Sequence, residues 1–394
     1  MNKYTWLVGF MTFILVTACE SRKPIQEKQQ VPSSQNEVKT GPPTSTILSV
    51  DTIRETQEPF KRAEYPYQKS QFEFKAGSDT YKAVTESYSL NDSSLTEVHR
   101  DSVQGKLTAV RIIKAHNHVY HINLTKNGKP VYSKRFTKQD FLKLENDGFI
   151  IESVPMAPEF RGITQDGRVL FDIWFGLPFS DFGSISFFST DLKGNLLQLE
   201  SYSSTGGNGC DGQVHTNPNR KYFLTCHTLY GPNGYSFEFG KPDMVTARFI
   251  SDTTFFALYD YVQWSFDKKK KEWDSTYDRK TKNLIFYHVN GRKLASYRYD
   301  GFFNELDYGV PVLEVKGLGK LYLLDDERKS IHSFSTLNPD KSEIIPFTSL
   351  KKLKKRSTGE KWKEVTIDRT FFGKRYSFYF SADTLKAYFV KESS

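Results

Sequence analysis

The strongest constraint in this chain is a repeated pattern. Short runs of alternating apolar and polar residues, each closed by a turn dipeptide, recur from Val110 to the C-terminus. Val119-Tyr120-His121-Ile122-Asn123-Leu124 alternates with period two, Asn127-Gly128 follows, and Val131-Tyr132 starts a return strand. Asn-Gly suits a two-residue hairpin turn because both residues tolerate positive φ. The same arrangement surrounds Lys193-Gly194, Asn290-Gly291, Asp325-Asp326-Glu327 and Ala382-Asp383. Helical periodicity is scarce; the best short helix lies near 138–144, with Thr137 and Asp140 spaced as a capping box. The expected fold class is therefore all-β: antiparallel β domains with that one short helix. The turns are unevenly spaced, whereas a regular propeller repeats about every 40–50 residues. Turn-flanked strand pairs in 276–340 make an irregular β-propeller in the C-terminal half the alternative.

The N-terminus carries an address. Lys3 precedes a mostly apolar run from Tyr4 to Ala18. Spanning a bilayer takes roughly 20 apolar residues, so this run reads as a secretory signal peptide over 1–18. Leu15-Val16-Thr17-Ala18-Cys19 resembles the lipobox of bacterial lipoproteins. The resemblance implies cleavage after Ala18, lipidation of the Cys19 thiol with fatty acyl chains such as palmitate, and membrane attachment. Buried acyl chains contribute about 0.8 kcal/mol per methylene, which makes such an anchor durable. In sorting of the enterobacterial type, Glu20 after the cysteine implies the outer membrane.

Residues 20–59 contain no aromatic residue, while the whole chain has 32 Phe and 22 Tyr. A stretch rich in Gln, Glu, Lys, Ser, Thr and Pro cannot bury enough apolar surface to offset its ordering entropy. Residues 19–60 thus read as a disordered tether, with an end-to-end distance on the order of 35–40 Å. The remainder suffices for one large β domain or two. The expected division is an N-terminal antiparallel β domain over 61–200 and a C-terminal meander or propeller-like domain over 201–394.

Residues 118–200 also resemble an uncharacterised domain of Bacteroidota lipoproteins. The residues that carry it are 120–124, Asn127-Gly128-Lys129, 135–141, Asp166-Gly167, 169–175 and Leu192-Lys193-Gly194. The resemblance implies a small β-rich domain with one helix after Phe136-Thr137-Lys138, and no activity.

The formal charge is +9, with acids and bases interspersed. Two basic runs stand out, Lys268 to Lys271 and Lys351 to Arg356. They could meet anionic headgroups or acidic glycans; the simpler reading is solvated loop tips between strands. Nucleic acid is not an expected partner of an exported, tethered chain. With Cys19 lipidated, Cys210 and Cys226 remain as an even pair in an oxidising compartment, which predicts a disulfide stapling an exposed loop.

No catalytic constellation emerges: there is no G-x-S-x-G, H-E-x-x-H or Walker loop. His116 and His118 would share one face of a strand at a spacing that could hold a metal, with His121 facing the other way; the favoured reading of the three is a loop or strand edge, with no metal and no cofactor. The candidate ligand contacts are aromatic. Trp174 alternates with Phe171, Ile173 and Phe175, and so points away from the core they form. Phe182 follows in the same segment. Tyr230 and Tyr235 belong to a second polar-aromatic cluster. Exposed aromatics stack on sugar rings. The function expected is a non-enzymatic, lipid-anchored binding or scaffold protein of the cell envelope, with a glycan or an envelope protein as partner. The alternative is a carbohydrate- or peptidoglycan-active enzyme with dispersed carboxylates.

Overall fold

A computed structural model describes residues 67–392, apart from 104–105, 145–146, 179, 181, 202–209, 211–212, 242–243, 268–269, 271, 279, 305–307, 314, 316–318, 357–360 and 368–373. The expected signal peptide, Cys19 and the tether lie outside the described residues. Strand makes up 59% and helix 6%, in antiparallel sheets, so the fold is all-β.

The chain begins with β1 (Gln68–Ala76), β2 (Asp79–Ser89), β3 (Leu95–Val103), β4 (Lys106–Ala115), β5 (His118–Lys126) and β6 (Lys129–Thr137). The first sheet has the order β1-β2-β5-β6, and β3 pairs with β4 outside it. Asn127 (φ 50°) and Gly128 (φ 78°) close the β5–β6 hairpin in the left-handed conformation that this dipeptide favours. After β6 comes a 3₁₀ turn over Lys138–Phe141, and then α1 (Asp147–Glu152). The helix expected near 138–144 is thus a single 3₁₀ turn, and the α-helix lies just beyond it. Its cap is as expected: the Thr137 amide donates to Asp140 Oδ2 at 2.7 Å. The turn stops once Phe141 has reached the core, a short span of the kind 3₁₀ geometry tolerates.

The second sheet follows with β7 (Val154–Pro155), β8 (Glu159–Ile163), β9 (Val169–Gly176), β10 (Gly183–Thr190) and β11 (Leu196–Ser201). Its order is β11-β10-β9-β7, with β8 also on β9. Further four-stranded antiparallel sheets come in chain order. One holds Met244–Phe249, Thr254–Tyr259, Leu284–His288 and Lys293–Tyr297. The next holds Val312–Leu313, Lys320–Asp325, Ser330–Ser335 and Ser342–Pro346.

Adjacent residues of one strand feed different cores, which explains the continuous apolar runs. In β9, Phe171, Ile173 and Phe175 join the core shared with the first sheet, while Leu170 joins the core around the disulfide. In Thr254–Tyr259, Phe255, Ala257 and Tyr259 face that second core, and Phe256 and Leu258 face a third with Leu321, Leu323 and Phe334. Tyr322 and Leu324 then face a fourth core with Tyr376, Phe378 and Phe380 of the last sheet. Strands buried on both faces lose the alternation of half-solvated ones. Among the described residues no closed barrel or propeller is found, which weighs against the propeller alternative.

Cys210 and Cys226 are bonded, with their Cα atoms 6.0 Å apart. The bridge does not staple an exposed loop. The cysteines are 8% and 2% exposed, and both belong to the core that holds Val214, Phe223 and Leu224. The physical reason is that Phe223-Leu224, within the enclosed loop, pairs as a strand and buries both side chains. Replacing Cys226 by Ser should lower unfolding stability by about 3 kcal/mol, as loop-closure entropy predicts. Urea unfolding of parent and variant, each with and without reductant, checks this. Reductant should bring the parent down to the variant and leave the variant unchanged.

The two basic runs part company. Lys270, the described residue of the first, is exposed in the turn of the hairpin Val262–Asp267 with Glu272–Tyr277, as the loop-tip reading expects. The second run is loop only in part: Lys354, Lys355 and Arg356 are exposed in a bend, as expected, but its first two residues are not loop. Lys351–Lys352 forms a short edge strand, parallel to Thr384–Glu392, with Lys352 opposite Tyr388. A parallel partner distant in sequence leaves no local trace, so the run reads as loop until the sheet is known.

Candidate functional site

The aromatic candidates divide by what they touch. Trp174 is 38% exposed on β9, between buried Ile173 and Phe175, as the alternation predicts. Its indole lies over Gly176 and Gly183, which pair in register across β9 and β10. A methyl group on Gly183 would sit 2.7 Å from the indole nitrogen, so the glycines leave the ring its place. Aromatic cover of sheet glycines is itself stabilising. Phe182, 46% exposed, flanks it and accepts the Leu177 amide through its carbonyl.

Tyr230 and Tyr235 are each held by neighbours. Tyr230 stacks on Phe223 at 4.9 Å and donates to Glu200 Oε2 at 2.8 Å. Thr225 donates to the other oxygen of Glu200 at 2.5 Å. Burial raises the Glu200 carboxyl, outweighing these two hydroxyl donors. Tyr235 meets Tyr222 edge to face at 6.4 Å. Trp174 and Phe182 share one strand end, whereas Tyr230 and Tyr235 flank the turn Pro232–Gly234.

The histidine segment enters a buried polar cluster beside α1. Asn117 is its hub: its side-chain oxygen accepts the amides of His118 (2.9 Å) and Lys138 (3.1 Å), and its own amide donates to Asp92 (3.0 Å). His118 is 2% exposed, and neither ring nitrogen has a partner. Burial, with Lys138 nearby, lowers its pKa to about 3, so the ring is neutral. His121 faces the other way and bridges Glu86 (3.2 Å) and Ser133 (2.8 Å). Lys138 is fully buried, and its ammonium donates to the Ile151 carbonyl at 2.6 Å. The Phe149 and Ile150 carbonyls are taken by the Ser153 amide and hydroxyl. Together these satisfy three of the four carbonyls that a helix end leaves open. The cluster is thus a helix cap. Next to it, Glu97, His99 and Glu152 bring one ligand atom each within 4.8 Å of one another. His99 Nε2 lies 3.1 Å from Glu97 and 3.2 Å from Glu152. A divalent cation could be held there; hydrogen bonding of the imidazole to the carboxylates accounts for the same distances.

A cavity of about 590 Å³ opens on the last sheet, which contains Lys351–Lys352, Thr384–Glu392, Lys374–Ser381 and Lys363–Thr366. It is lined by Lys329, Lys352 and Lys374, by Phe347, Tyr376 and Tyr388, and by Thr348, Val390 and Glu392. The register explains the lining. Lys374 opposes Glu392, Tyr376 opposes Val390, and Phe378 opposes Tyr388. Alternate residues of paired strands therefore present one face. Phe347 and Tyr388 stand 4.5 Å apart between ring centres. Asp326 beneath the rim accepts from Lys329 (2.6 Å) and from the Tyr376 hydroxyl, with Lys374 at 3.9 Å. Burial opposes its charge, but these donors hold its carboxyl below the usual range. Sequence reading did not bring this cavity together. Its one sequence signal was the basic run beside Leu353, which names Lys352 alone.

No family model and no curated relative matches the chain. Among solved structures, it is similar to a chain of a nidogen/laminin complex. That match is 10% identical, covers 71% of this chain and 99% of that one, and has a TM-score of 0.26. At that similarity neither fold nor function transfers.

Proposed function

We propose that this is a lipid-anchored protein of the bacterial cell envelope whose β domain binds a ligand without transforming it. The address rests on the signal-like run and Cys19, and Glu20 favours the outer membrane. The observation that carries the binding role is the cavity on the last sheet. Its walls are ammonium groups and aromatic rings, a set that holds and orients a ligand. A glycosidase needs two carboxyls set apart across a bond. Here the lining holds one carboxylate, Glu392, and nearby Asp326 already accepts from Lys329 and Tyr376 on its Oδ1. Glu200, raised by burial, is where the enzymatic alternative would look for a general acid. Both its oxygens accept from Thr225 and Tyr230, which supports a structural role.

The anchor is tested by Cys19→Ala. The parent should fractionate with membranes and carry acyl chains by mass spectrometry, whereas the variant should lack them and leave the membrane pellet. An unaltered distribution and mass increment would remove the anchor from the reading. The binding role is tested separately, by retention of solubilised envelope material on the immobilised full chain and its loss in Lys352→Ala.

A further inference from the structure

We infer that the cavity on the last sheet is built for an acidic sugar, a pyranose ring carrying one carboxylate. The inference rests on reading that cavity as the ligand site, and it names the ligand class. Three observations lead to it.

The first is the state of the lysines. Lys329 is paired with Asp326 at 2.6 Å, and Lys374 lies 3.9 Å from the same carboxylate. Among the described residues Lys352 has no acidic partner, although it lines the same space. Three lysines set against Asp326 and Glu392 leave the cavity one net positive charge, and Lys352 is the lysine without an ion pair. That matches a single negative charge better than a phosphate group, which carries more charge and draws several free donors. Exposed Lys354 and Lys355 follow Lys352 in the chain and add to the positive field.

The second is the wall. Half-buried Tyr388, backed by buried Phe347 at 4.5 Å, is the aromatic wall at the side where Lys352 enters, since Lys352 and Tyr388 are opposite each other in register. A ring face beside an ammonium suits a flat ligand that carries charge at its edge. A sugar ring presents C–H groups to the aromatic face and its carboxylate to the cation. A bare lipid headgroup phosphate has no use for the aromatic wall.

The third is the remaining polar complement. Thr348 offers a hydroxyl on the same lining, and Glu392 offers a carboxylate that can accept from ring hydroxyls. A volume of about 590 Å³ falls within the range of small-ligand sites.

The test uses the full lipidated chain in detergent, with trigalacturonate as the probe and calorimetry as the readout. Its methyl ester keeps the rings and removes the charges. Inorganic phosphate and phosphatidylglycerol vesicles represent the other anions. Trigalacturonate should bind, and the ester should bind about tenfold more weakly, the usual worth of one charge-assisted contact. Lys352→Ala, on an exposed side chain, should erase the difference between acid and ester. Tyr388→Leu should weaken both alike, while circular dichroism confirms that it folds. The inference is overturned if trigalacturonate does not bind, if phosphate or vesicles match it, or if Lys352→Ala leaves its affinity unchanged. A chain that retains envelope material through Lys352 yet ignores trigalacturonate would lose the acidic sugar and keep the binding role. Loss of membrane attachment alone would move neither affinity nor its Lys352 dependence.

Discussion

Between pH 7 and pH 10 the fold should gain stability, about 3–4 kcal/mol, and Lys138→Met should abolish that gain. Lys138 is fully buried, and desolvation lowers its pKa from 10.5 to about 7, against the partial support of Glu152 and Asp92. The unfolded chain keeps the ordinary lysine affinity for protons. Across this window the unfolded state therefore binds one proton more than the folded state. Stability then rises with pH, and it is lost as pH falls towards 7. Above about pH 10 the trend reverses, because buried Tyr120 and Tyr299 have raised pKa values and the unfolded chain ionises first. Methionine keeps the volume but leaves the Ile151 carbonyl without its donor, at a cost of about 1–3 kcal/mol. The variant should thus be more stable than the parent near pH 7 and less stable near pH 10. Urea unfolding of both proteins at several values between pH 7 and 10 reads the crossing directly. Parallel profiles would show that Lys138 does not titrate inside the fold.

The acid side has a different source, and its sign is the same. Burial lowers His118 to about 3 and His215 to about 4. Each ring is neutral when folded and takes a proton more readily when unfolded, so stability falls as pH drops from about 6.5 towards 4.

How much of this was legible follows from the range of each interaction. Hairpin turns were legible because their chemistry is local: Asn127 and Gly128 in one turn, and Gly291 in another, carry the positive φ their strands need. The outward placement of Trp174 was legible too, from period two alone. Burial of β9 on both faces was not, because it depends on a second core that Leu170 reaches and Phe171 does not. The pairing of Cys210 with Cys226 came from counting, but its depth came from the sheet between them. Lys351–Lys352 looked like a loop because its partner strand begins at Thr384. Lys138 carried no signal at all. A lysine after a strand is ordinarily solvated, and only the open carbonyls of α1 give its ammonium a reason to be buried.

Phe141 is where the two N-terminal sheets depend on one side chain, and Phe141→Ala should cost about 3–5 kcal/mol. Its ring lies 5.3 Å from Tyr120, 6.3 Å from Phe136, 5.7 Å from Phe175 and 5.3 Å from Phe188. Tyr120 and Phe136 belong to the first sheet, Phe175 and Phe188 to the second. Alanine would leave a ring-sized void between packed sheets. Neither sheet can close it by a side-chain move, since all four neighbours are themselves buried. Phe141→Leu refills part of the space and should recover a good part of the loss. Phe182→Ala, on a half-exposed ring, should stay within about 0.5 kcal/mol of the parent. The same 3₁₀ turn carries Lys138 at its start and Phe141 at its end. The two sites are therefore coupled, and Lys138→Met with Phe141→Ala should depart from additivity by at least about 0.5 kcal/mol. Thermal or urea unfolding of the single and double variants at pH 9 measures this. Strict additivity would mean that the turn docks its two ends independently.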